Sequence, residues 1–362
     1  MASPLYIRLQ SIRASIQSQW GDAMRHSLQP IMQSNLSRIL VSLFVFSIFI
    51  QILTGIMLSL HFAPSSSMIL NDNGKPSTVK LPNKVLLDPE GDTLAMPGEL
   101  LLREAQQQDI KPTISFLSVK IIESSFPLNI IRIIHRMNTH VLLAVLLSII
   151  LMFIFHLRDT IFFKGIWFLL LVLGTGISLI AWTGYILPWD QYASTSYSMV
   201  SGFIRTGLES FAVSSEAFTL GAIQTDFIAR LFSIHALILP FLMMFLLFYI
   251  KMILQINSSY SNNVFGYGFV ALIILMGIFR SSEATLFPPS DAQVPTIIGI
   301  EPAWFFQPLH GIVSALPADA GILVISCAIV MFFCLPFISS YRLRMIVLAF
   351  IAIATLFFAL AY

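Results

Sequence analysis

Long apolar runs separated by polar links dominate this chain. A helix that crosses a bilayer needs about 20 predominantly apolar residues. Stretches of that character lie at 38–61, 137–157, 162–186, 229–255, 264–280, 319–338 and 343–361. The pattern predicts an all-α integral membrane protein with seven transmembrane helices. Two segments break the pattern. In residues 1–36, Leu5, Leu9, Ile12, Ile16 and Trp20 recur every three or four positions, with Arg8, Arg13 and several Gln between them. That spacing predicts an amphipathic helix lying on the membrane surface, with a disordered tail as the alternative. Residues 62–130 hold Pro64, Pro76, Pro82, Pro89, Pro97 and Pro112 with eight of the 18 acidic residues, and are expected to form an extramembrane lobe.

Composition supports the membrane assignment. Hydrophobic residues make up 57% of the 362 and charged residues only 10%, against about 25% charged in soluble domains. The net charge of +2 gives no reason to expect a nucleic-acid partner. The polar, basic start does not read as a signal peptide. Cys327 and Cys334 share one face of one helix, too far apart along it to pair, and are expected to be small core residues. Basic residues beside short loops set orientation. Arg8, Arg13, Arg25, Arg38, Arg158, Lys164, Lys251, Arg342 and Arg344 all fall on one side if the N-terminus is cytoplasmic. Arg132, Arg136 and Arg230 then lie outside, against the rule, which calls for a specific anion.

His135 and His235 sit near the outer ends of the second and fourth spans. A lone histidine in an apolar helix is usually a hydrogen-bonded core residue. Two at matched depth on separate helices of a bundle can instead supply both axial ligands of a haem. Arg132 and Arg136 flank one and Arg230 precedes the other. Haem propionates are carboxylates, natural partners for guanidinium groups; interfacial snorkelling is the plainer explanation of these arginines.

The run W182-T-G-Y-I-L-P-W-D-Q191 resembles the end of the third helix in the cytochrome b family, especially its b6 type. Q51-I-L-T-G55 is similar to that family's first helix, and I133-I-H-R136 and A229-R-L-F-S-I-H-A-L-I-L-P-F241 to its haem-ligand helices. The resemblance covers about residues 20–62 and 116–362; residues 64–115 have no counterpart in it. After the 1–36 surface segment, it implies a four-helix haem bundle at 37–257 and a three-helix part at 258–362 like the partner subunit of b6. It also implies haem b, a quinone or quinol, iron–sulfur or c-type cytochrome partner subunits, and a homodimer. A bacterial inner membrane is expected rather than an organellar one.

The family carries a second haem, whose ligands stand fourteen residues beyond the first pair. Here those positions are Ile149 and Tyr249. Glycines on the first and third helices let the porphyrin approach the backbone. The outer pair is kept, as Gly55 and Gly184, but the inner positions are Val41 and Leu170, with Gly174 and Gly176 nearby as a possible shifted notch. His140 and His156 offer no matched pair, and Ile39 stands where a thioether-linked extra haem would need Cys. One outer haem b is therefore expected.

The family's quinol pocket is closed by a Pro-Glu-Trp-Tyr motif, which here reads E301-P-A-W-F-F306. Pro302, Trp304 and Phe305 keep the frame, Ala303 replaces the acid, and Glu301 is a candidate substitute. Tyr185, Pro188, Trp189 and Asp190 are expected to form the opposite wall, and His310 lies just beyond. The expected function is electron exchange between a quinone carrier and an outward-facing redox partner, without a full Q-cycle. The alternatives are a two-haem quinol oxidoreductase with a relocated second site, or a scaffold subunit with idle haem. A transporter would need an inverted repeat or mid-membrane charges, which the sequence does not display.

Overall fold

The computed structural model describes residues 35–65, 67, 112–155, 161–210, 227–254, 286–287, 290 and 303–360. Among them, every regular element longer than a single bridge is helical. In order these are α1 (Asn35–Ser59), α2 (Ile114–Ser124), α3 (Phe126–Phe155), α4 (Ile161–Ile186), α5 (Gln191–Ser210), α6 (Phe227–Ser233), a π-turn (Ile234–Ile238), α7 (Leu239–Leu254), α8 (Gln307–Ala315), α9 (Ala318–Cys334), a 3-10 turn (Leu335–Phe337) and α10 (Tyr341–Leu360).

Six stretches are long and apolar enough to cross a membrane: Asn35–Ser59, Phe126–Phe155, Phe163–Ile186, Phe227–Phe248, Asp319–Phe337 and Tyr341–Leu360. They correspond to six of the seven spans read from the sequence. The seventh, 264–280, lies outside the described residues, as do the 1–36 surface segment and most of the 62–130 lobe.

Three boundaries differ from expectation. α3 starts at Phe126, so His135 is well inside the helix rather than at its start. Pro127 explains the extension, because a proline in the first helical turn gives up only an N–H that has no partner there. The end of the lobe forms α2, capped by Thr113, whose hydroxyl accepts from the Phe116 N–H at 3.2 Å. The polar link between the 162–186 and 229–255 spans contains α5, opened by Asp190, whose Oδ1 accepts from the Ala193 N–H at 2.9 Å. An aspartate at that position is a strong helix starter. Cys327 and Cys334 are exposed rather than core residues.

The chain forms two compact units. One comprises 1–53, 135–178 and 239–280, and the other 54–134, 179–238 and 281–362. In the first, the core is apolar and well buried, with Leu146, Ile149, Phe163, Trp167, Leu170 and Leu173 all below 9% exposure. In the second, Ile186, Leu187, Ile228 and Leu231 form a cluster beneath Phe62, Trp182, Trp189, Tyr197, Phe227 and Phe232.

Candidate functional site

His235 lies in the π-turn, where the backbone departs from α-helical spacing. Pro240 accounts for this, since it has no N–H to offer the Ala236 carbonyl. The His235 Nδ1 is 2.9 Å from the Ile180 carbonyl and 3.1 Å from Thr183 Oγ1. A carbonyl can only accept, so Nδ1 carries the proton and Nε2 carries the lone pair, the one with which an imidazole in this tautomer ligates a metal. Gly184, expected to let a porphyrin approach, instead leaves room for this ring. A Cβ there would stand 2.7 Å from His235 Cε1. The half-site on α4 and the π-turn thus joins Thr183, Gly184 and His235.

His135 is half-buried on α3. Its Nε2 is 3.2 Å from Gln51 Nε2 on α1. Gln51 Nε2 also donates to Thr139 Oγ1 at 3.0 Å, and Gln51 Oε1 accepts from Asn138 Nδ2 at 2.7 Å. Asn138 is 1% exposed and donates as well to the Ser47 carbonyl at 2.7 Å. Gln51, Asn138, Thr139 and Thr183 were not singled out as site residues in the sequence, although Gln51 and Thr183 lie within the motifs that carry the family resemblance.

The arginines differ in setting. Arg132 is buried and its Nη2 meets Glu123 Oε1 of α2 at 3.3 Å. Arg136 is half-buried and Arg230 exposed. Glu123 also accepts from Lys120 at 2.9 Å and from the Leu286 N–H at 3.3 Å. Burial alone would raise the Glu123 carboxyl. The Lys120 and Leu286 hydrogen bonds, with the charges of Lys120 and Arg132, outweigh it and hold the group below the usual carboxylate range.

Of the expected quinone wall, Tyr185 and Phe305 meet edge-on with ring centres 6.2 Å apart. Tyr192 joins Tyr185 at 5.8 Å and stacks on Phe287 at 5.8 Å; neither Tyr192 nor Phe287 was expected there. Trp304 abuts Phe305 at 5.5 Å. Trp189 instead faces Tyr197 and Phe227, at 5.8 and 5.5 Å, with a backbone φ of 52° that a bulky residue rarely adopts. Pro188, next to it, is half-buried. Asp190 is buried and uses both carboxylate oxygens on backbone N–H groups, those of Ala193 and, at 3.1 Å, Phe287. Glu301 and Pro302 lie outside the described residues. On α8, burial lowers the His310 imidazole below its ordinary value.

At the positions where the family holds its inner haem, Ile149 and Leu170 are buried and Val41 half-buried; the Tyr249 side chain is outside the described residues. A Cβ on Gly174 would touch Ile150 at 3.7 Å, and one on Gly176 would collide with Met243 Sδ and lie 2.7 Å from its Cε. Met243 fills the Gly176 notch, whereas Gly174 leaves room for a Cβ.

Residues 155–308 match the family profile described as cytochrome b (N-terminal)/b6/petB, and residues 290–362 the profile described as cytochrome b (C-terminal)/b6/petD. His235 and the aromatic group fall inside these matches, while His135 precedes them. Among solved structures, a chain of a "Hyperthermophilic respiratory Complex III" superposes with a TM-score of 0.55 at 14% identity, covering 89% of this chain and 87% of that one. At that identity the likeness is one of fold. No curated protein matches the chain significantly. With two overlapping profiles that together run from residue 155 to 362 and an apolar helical fold of the same kind, this integral membrane protein belongs to the cytochrome b/b6 family.

Proposed function

We propose that the chain is the b-type cytochrome subunit of a bc-like respiratory complex. It would exchange electrons between a quinone or quinol and an outward-facing iron–sulfur or c-type cytochrome subunit. The observation that carries this reading is the His235 half-site. A backbone carbonyl fixes the tautomer, and the missing Cβ of Gly184 gives the ring its place. Those residues suit an imidazole-ligated haem b. His135 would be the second ligand, Gly55 the matching close approach on α1, and Arg132, Arg136 and Arg230 the partners of the propionates. When bound, haem b supplies reversible one-electron exchange.

One haem is the number these residues favour, because Ile149 and Leu170 are buried apolar groups and Gly176 is packed against Met243. Tyr185, Phe305 and Trp304, with Tyr192 and Phe287, would flank the quinone ring. Asp190 holds the Phe287 backbone for that wall. Glu301 would take the role of the acid missing at Ala303, since a quinol releases protons as its electrons leave. The division at residues 36/37 and 257/258, a cytoplasmic N-terminus, a bacterial inner membrane and a homodimeric complex complete the proposal.

The test is a pyridine haemochrome measurement on the purified protein. One haem b per chain is expected, and none in either His135→Ala or His235→Ala. Two haems per chain would remove the single-haem reading, and none in the native protein would leave a scaffold role. A normal low-spin spectrum in either variant would refute the ligand assignment.

A further inference from the structure

The polar contacts between α1 and α3 form a chain of hydrogen bonds whose directions are all determined. The Ser47 carbonyl can only accept, so the Asn138 group facing it at 2.7 Å is the amide NH₂. The same Asn138 nitrogen stands 2.7 Å from Gln51, which must present its oxygen there. Gln51 therefore turns its own NH₂ toward Thr139 and His135. One hydrogen goes to Thr139 Oγ1 at 3.0 Å, whose hydroxyl is itself spent on the His135 carbonyl at 3.1 Å. The other faces His135 Nε2 at 3.2 Å. An amide nitrogen only donates, so Nε2 must accept. In the neutral ring the proton then sits on Nδ1.

We propose that Asn138 and Gln51 form a relay that sets the tautomer of His135, keeping Nε2 unprotonated with its lone pair presented for metal ligation. Gln51 is a positioning residue, and Asn138 acts through it at one remove. The device differs from that at His235, where a backbone carbonyl fixes the same tautomer from the Nδ1 side. At His135 the fixing group holds the nitrogen that would ligate, so a bound haem would replace that hydrogen bond. The consequence for haem rests on the proposed function; the tautomer does not.

Two variants separate the steps. Gln51→Glu keeps the shape but, as a carboxylate, offers only acceptors, so it should place a proton on Nε2. Asn138→Leu leaves Gln51 free to turn its oxygen to the ring, and should give a mixture of tautomers without touching His135. Both are read by ¹⁵N NMR of histidine-labelled, haem-free full-length protein. The native ring should show protonated Nδ1 and bare Nε2. Titration with haem b should show Gln51→Glu binding at least about ten-fold more weakly, the usual scale for losing a ligand-orienting partner. A native His135 protonated on Nε2 would overturn the relay, as would Gln51→Glu that binds haem like the native chain. A native Nδ1–H ring in a chain that takes up no haem would support the relay and overturn the haem reading instead.

Discussion

The ring of His235 fills the space where a side chain on residue 184 would be, with Cε1 2.7 Å from the position of the missing Cβ. Gly184→Ala must therefore displace the ring or the helix. Overpacking of this kind costs about 1–3 kcal/mol, and the displacement pulls Nδ1 from the Ile180 carbonyl. Haem content per chain should fall several-fold with the protein still folded; unchanged content with an unshifted midpoint potential would show that the close approach does not matter. Glu123 gives a second prediction at this scale. Its carboxyl titrates below the ordinary 4.5 when folded, so its contribution to stability is complete above that value. The contribution is lost as pH falls through the lowered folded value. The melting temperature of native protein should exceed that of Glu123→Gln by a constant margin from neutral pH down to about 5, and the margin should vanish in stronger acid. A margin that grew on acidification would reverse the sign. His135, His235 and Gly184 were legible in the sequence because each is a residue type its neighbours do not call for. The Asn138–Gln51 contacts were not, because they depend on the rotational register of two helices 87 residues apart in sequence.

Elements show a similar division. The spans were legible because about 20 apolar residues leave a chain little choice in a bilayer. α5 is hard to read because its serines and threonines resemble a loop, although Asp190 before it is a starting signal. The π-turn at His235 was equally marked by Pro240, but a proline in a span predicts a local irregularity without saying which way the turn opens. Both signals lead to tests. Pro240→Ala should let residues 234–240 close into regular α-helix. Alanine is preferred to proline in a helix by about 3 kcal/mol, so stability should hold or rise. The extra residue of the π-turn would be absorbed, however, and His235 would rotate away from Ile180. Full haem retention with increased helicity would mean that the π-turn does not aim the ligand. Asp190→Ala removes an N-cap, at a cost of about 1 kcal/mol, and also frees the Phe287 N–H. The variant should oxidise quinol with a raised KM but keep its haem spectrum; a lost haem spectrum would place Asp190 in the haem site rather than the aromatic wall.

For the whole molecule, the decisive question is whether any electron can cross the bilayer. The hydrocarbon core is about 30 Å thick, and the single outer-side haem proposed above would leave most of that thickness without a carrier. Buried Ile149 and Leu170, with Met243 against Gly176, occupy the region where the family places its second. Both electrons of each quinol would then leave on the outer side, to two one-electron acceptors, and both protons would be released there. No charge would move across the membrane, so the reaction should neither create nor sense a membrane potential. In sealed vesicles carrying the intact complex, quinol oxidation by an external one-electron acceptor should acidify the outer medium without a signal from a potential-sensitive dye. Valinomycin with potassium should leave the rate unchanged. A two-haem enzyme charges the membrane as it turns over and is held back by the potential it builds, so valinomycin would accelerate it. Acceleration, or a dye response that requires quinol, would place a carrier in the inner half of the bundle and overturn the one-sided mechanism.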